Sequence, residues 1–127
     1  MRKTTVAVSI LLMGVAAYGK PNPTQAFAQC ESDAYSQIGV QVDRGASLKY
    51  LETKYELIRV CMVRKGYKFA ERDRPVYYAQ VSERAYKRYG AWNTPRYQID
   101  PATQKAIDDE IQKAMILFDL RSQNWTE

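Results

Sequence analysis

Beyond residue 30, apolar residues recur at spacings of three and four, the period of amphipathic helices rather than of strands. The clearest stretch spans residues 48–65, where Leu48, Leu51, Tyr55, Ile58 and Met62 line one face and Leu57 and Cys61 widen it. Ser47 precedes it as an N-cap and Gly66 follows as a helix stop. Glu52 and Glu56, on the other face, are spaced to pair with Lys49, Lys54 and Arg59. A shorter helix is predicted over residues 33–42, joined to it through Asp43-Arg44-Gly45. Pro75 opens a third helix that ends near Gly90, with Tyr78, Val81, Ala85 and Tyr89 inward. Asp100-Pro101 opens a fourth, whose stripe is Ile107, Ile111, Ala114, Met115 and Phe118. Asp108, Asp109 and Glu110 sit early in it, where the helix dipole favours negative charge. Residues 67–73 read as a connector. Residues 91–99 read as a loop whose Trp92, Pro95 and Tyr97 pack over the core, and residues 122–127 as a polar tail around Trp125. No run alternates strictly enough for a strand. The expectation is an all-α fold, a small bundle of about four helices.

The front of the chain is different. Arg2 and Lys3 precede an apolar run, residues 6–17, broken only by Ser9 and Gly14. That length suits a secretory leader and is too short to span a bilayer. Ala26-Phe27-Ala28 has the small-x-small form of a cleavage site, and Val15-Ala16-Ala17 is a second candidate. The reading adopted is a cleaved signal peptide over residues 1–28 and a single helical domain over residues 29–127. The alternative is an uncleaved anchor. No second stretch reaches spanning length, so the mature form has no membrane span and is periplasmic or secreted. Phe27 and Gln29 depart from the pattern that would lipidate Cys30.

An exported chain with two cysteines is expected to bridge them. In a hairpin of the first two helices, Cys30 and Cys61 lie at similar distances from the turn, about 18 and 21 Å at the helical rise. Their thiols meet at the open end. The same stapling suits a domain too small for a large core. Two close thiols of the C-x-x-C kind are absent, which argues against redox chemistry.

Charge changes the picture less than the total implies. The chain carries +5, but residues 1–28 contribute Arg2, Lys3 and Lys20 and no acid, so the remainder carries +2. Nucleic acid is therefore not expected as a partner. The distribution is uneven, with residues 44–96 carrying +8 and acidic segments on either side.

The chain has no histidine, no glycine-rich phosphate loop and no Ser-x-x-Lys arrangement. That removes the usual general base, the usual nucleophile pairs and the usual zinc ligand. Asp108, Asp109 and Glu110 fan out around a helix and cannot converge on one ion. The expectations are no enzyme, no catalytic residue, no metal and no cofactor. A hydrolase built on two carboxylates from different helices is the remaining catalytic alternative. Asn124-Trp125-Thr126 matches a glycosylation acceptor, relevant only in a eukaryotic secretory host.

Eight tyrosines lie between residues 50 and 97, interleaved with arginine and lysine. Tyrosine and arginine anchor protein interfaces, and the same pair suits polyanions by stacking and charge. Arg64, Lys65, Tyr67, Tyr86 and Arg88 are the candidate binding residues, since most fall off the apolar faces. The bland reading, in which half the tyrosines are core and the bases are solvated, stands beside it.

Cys61-Met62-Val63-Arg64-Lys65-Gly66-Tyr67 ends a helix with Cys-Met, two variable residues, Lys-Gly and an aromatic. With Cys30 upstream, this resembles small exported bacterial proteins, mostly of unknown function, over residues 30–67 alone. The resemblance implies a bacterial envelope protein with a disulfide-closed helical hairpin, and carries over no site. The function expected is an exported, non-enzymatic binding protein whose partner is another envelope or secreted protein. An anionic or cell-wall polymer is the alternative.

Overall fold

The computed structural model describes residues 21–70 and 73–127. It is an all-α bundle of four helices: α1 (Pro23–Ile38), α2 (Leu48–Arg64), α3 (Arg74–Arg88) and α4 (Pro101–Asp119). The start of α1 differs from the expectation. The Asn22 side chain accepts from the Gln25 amide at 2.8 Å and Pro23 takes the first helical position, so the helix begins well before residue 33. It stops at Ile38, short of residue 42, because Gly39 adopts a φ of 78°. The leader boundary expected after Ala28 thus falls inside α1, where Ala26 and Phe27 are buried. Residues 1–20 of that expected leader lie outside the described residues.

The start of α2 follows its sequence signal. The Ser47 hydroxyl accepts from the Tyr50 amide at 3.1 Å. At its far end Gly66, with a φ of 93°, donates to Val63 while Tyr67 donates to Met62. This is a Schellman stop, with Tyr67 folded back over Met62. Gly90 repeats it after α3, where Ala91 donates to Tyr86 and enters the core. The buried face of α3 matches the expected one only in part. Val81, Ala85 and Tyr86 are buried, whereas Tyr78 and Tyr89 are exposed, and so are Trp92, Pro95 and Tyr97, expected to cover the core.

The core has two centres. Phe27, Leu51, Ile58, Met62, Tyr67 and Trp125 belong to the first, around α1 and α2. Val81, Ala85, Tyr86, Ile107, Ile111 and Met115 belong to the second, between α3 and α4. Helix α4 joins them, since its first half packs on α3 while Ile116 and Leu120 reach the first centre. Arg74 and Asp119 lock this crossing with paired bonds of 3.0 and 3.1 Å.

The tail is not a polar appendage. A two-residue strand β1 (Lys68–Phe69) pairs antiparallel with β2 (Trp125–Thr126), and Trp125 is buried edge-on against Phe69. Two-residue strands are too short to show alternation, which is why the pattern missed them. Asn124 is buried too, its amide donating to the Phe118 carbonyl, so the acceptor motif is not presented to solvent.

Cys30 and Cys61 form the disulfide, with Cα atoms 5.7 Å apart across a sequence separation of 31. Closing that loop stabilises the fold by about 3–4 kcal/mol on the chain-entropy argument. Replacing both cysteines by alanine should therefore lower the unfolding free energy in urea by about that amount, with the helical circular dichroism retained at low denaturant.

Candidate functional site

Among the described residues, Lys54 is the ionisable group buried most completely. It was expected to pair with glutamates on the outer face of α2, yet its side chain is fully buried. The helix presents it inward at the turn end of the α1–α2 hairpin. Its ammonium meets Glu31 from α1 at 3.1 Å, Asp43 from the turn at 3.0 Å and the Tyr35 hydroxyl at 2.8 Å. Burial alone would pull its pKa down, but the bonds to Tyr35, Asp43 and Glu31 outweigh it and raise the pKa. A lysine held this firmly as a cation is not a nucleophile. Its chemistry is structural: three donors saturated by three acceptors.

The surface site lies between α3 and α4. Tyr77, Val81, Arg84 and Arg88 follow one another at spacings of four, three and four, so they share one stripe of α3. Glu110, Lys113, Ala114 and Leu117 face them from α4. Arg44 closes the end from the turn before α2, held there by the Lys113 ammonium donating to its backbone carbonyl at 3.3 Å. Together these residues enclose a groove of about 480 Å3. Its lining mixes apolar side chains, Tyr77, Val81, Ala114 and Leu117, with charged ones. Four of the charged residues are cations, Arg44, Arg84, Arg88 and Lys113, and Glu110 is the single carboxylate. Arg88 meets that carboxylate at 3.4 Å while remaining mostly exposed. Among the described residues, Arg44 and Arg84 have no ion pair.

The sequence-based candidates scatter. Arg88 belongs to this groove. Arg64 lines a separate cleft over the disulfide, where Asp33 and Glu56 mix the charge. Lys65 reaches Gln29 at 3.5 Å near the same end of the hairpin. Tyr67 and Tyr86 are not surface anchors at all, and both are buried beside the two Schellman stops. The Tyr67 hydroxyl donates to the Pro21 carbonyl and that of Tyr86 accepts from the Gln104 amide at 3.0 Å. Arg44, Arg84 and Lys113 were not selected. The spacing that puts Arg84 on one stripe with Arg88 is visible in the sequence, but the approach of Arg44 and Lys113 depends on packing.

Among the described residues, no cluster of carboxylates or cysteines is placed to hold a metal ion, and no helix is long and apolar enough to cross a membrane. Comparison with protein families, with characterised proteins and with solved structures finds no match for this chain.

Lys54→Met keeps the volume and removes the charge. It should cost about 2 kcal/mol at pH 7, read as a lower urea midpoint. The folded state holds the Lys54 proton more tightly than the unfolded chain does. The contribution is therefore complete below the ordinary lysine value of 10.5 and disappears as pH rises through the higher folded value. The Tyr35 hydroxyl, raised by burial, acts in the same direction. Stability of the parent protein should fall more steeply above pH 10.5 than that of the variant.

Proposed function

We propose that this is an exported, non-enzymatic binding protein of the bacterial envelope, and that it holds an acidic, partly apolar segment of another envelope or secreted protein in the α3–α4 groove. The observation that carries the reading is the groove's composition, four cations and four apolar side chains with one carboxylate. Buried or paired cations elsewhere, such as Lys54 and Arg74, are already committed to the fold. Arg44 and Arg84 have no ion pair among the described residues, which leaves their guanidinium groups open to a ligand carboxylate.

The apolar side chains in the lining favour a polypeptide over an anionic polymer. A polyphosphate or acidic glycan uses the cations alone, whereas a segment alternating acidic and apolar side chains also covers the half-buried Ala114 and Leu117. A bridged cysteine pair and the absence of a membrane-crossing helix among the described residues are compatible with an extracytoplasmic location.

A labelled peptide alternating Glu and Leu serves as the probe. It should bind with an affinity that falls as salt rises, since exposed charges are screened within about 10 Å at 0.1 M salt. Arg84→Glu with Arg88→Glu should weaken it by roughly tenfold or more, while Arg64→Glu with Lys65→Glu changes it little. Equal loss from both pairs would sink the groove assignment. Tighter binding of polyphosphate than of peptide, at matched charge, would turn the reading toward polymers.

A further inference from the structure

Resting on the export reading above, we propose that the leader is cut at Val15-Ala16-Ala17, and that Ala26-Phe27-Ala28 is retained as part of the folded domain. Both sequences have the small-x-small form, so the pattern alone does not choose between them. The structure bears on the choice through α1. Ala26, Cys30 and Ala34 repeat every four residues and Phe27 lies beside them, so one buried stripe runs unbroken across the bond between Ala28 and Gln29. Ala26 is fully buried and Phe27 sits in the same core centre as Met62, Tyr67 and Trp125.

The residues before them are equally committed. Asn22 caps the helix, Pro23 starts it, and the Pro21 carbonyl accepts from the buried Tyr67 hydroxyl. A cut after Ala28 removes the cap, the first turn and two core side chains together. It also places a new charged amino group on Gln29, next to the buried, bridged Cys30. Upstream, Gly14 interrupts the apolar run, and Val15 and Ala17 then supply small residues at the two positions that a leader peptidase reads. Cleavage there hydrolyses the Ala17–Tyr18 peptide bond and leaves the α1 cap intact.

The test is the intact mass of the protein, expressed from its full precursor in a bacterial host and recovered from the envelope fraction. A mass beginning at Tyr18 is expected. A mass beginning at Gln29, or at any other processed position, overturns the assignment while leaving export standing. A mass beginning at Met1 overturns the assignment and any cleavage, and makes the front of the chain an uncleaved anchor. Two variants separate the sites further. Ala17→Leu should block processing and accumulate the precursor, whereas Ala28→Leu, at an exposed position on α1, should leave the product beginning at Tyr18. Accumulated precursor from Ala28→Leu would return the cut to Ala28.

Discussion

The fold depends on keeping α1 and α2 together as a hairpin, and two unlike interactions do so at its two ends. The disulfide holds the open end. At the turn end, Lys54 gathers Glu31, Asp43 and Tyr35 around one ammonium, and Tyr50 donates to the Gly39 carbonyl at 2.6 Å. Along the hairpin lie small contacts, Ala26 and Ala34 belonging to one core centre with Leu51, Ile58 and Met62. Small side chains let the helices approach closely but bury little area each, so the ends matter more than they would in a larger core. Helix α4 can then lean on this hairpin with one half and carry α3 with the other.

The basic residues of the middle segment divide by what answers them. Lys54 and Arg74 meet acids from distant parts of the chain and serve the fold. Arg59 and Lys87 pair with neighbours on their own helices and remain exposed, which contributes little. Arg44, Arg84 and Arg88 line one groove with Lys113 and Glu110 of α4, and among the described residues that carboxylate pairs with Arg88. The acidic flanks of the chain therefore neutralise its basic middle only in part: among the described residues Lys49, Arg64, Lys65, Lys68 and Arg96, like Arg44 and Arg84, have no ion pair.

How much of this was legible depended on the range of the interaction. The helices α2, α3 and α4 were readable because their caps and stops are local: Ser47, Gly66, Pro75, Gly90 and Asp100-Pro101 act within a few residues of themselves. The bridge was readable from a lone cysteine pair in a chain read as exported, although the residue count offered with it placed the end of α1 at residue 42 and the helix ends at Ile38. The start of α1 was not, because residues 23–28 carry a helix pattern and a cleavage pattern at once. Lys54 was assigned to solvent since its acids lie at positions 31 and 43 and meet only when the hairpin closes. Tyr67 and Tyr86 were chosen for lying off the apolar stripes, but chain reversals at Gly66 and Gly90 fold the polypeptide back over them. Of the groove, only Arg88 was picked out, because a site shared by two helices and a turn has no signature in any one of them.

The bridge between Cys30 and Cys61 has a reciprocal side. Stabilisation between a fold and its crosslink runs in both directions, so the packed hairpin protects the bond by as much as the bond protects the hairpin. A coupling of about 3–4 kcal/mol makes the oxidised pair several hundred times harder to reduce in the folded chain than in the unfolded one. The thiols of a newly made chain in a reducing compartment have no such protection and hold the helices no closer than chance. Oxidation and folding therefore favour each other, and a chain that meets an oxidant while still loose is drawn toward a state that reductant alone does not readily undo.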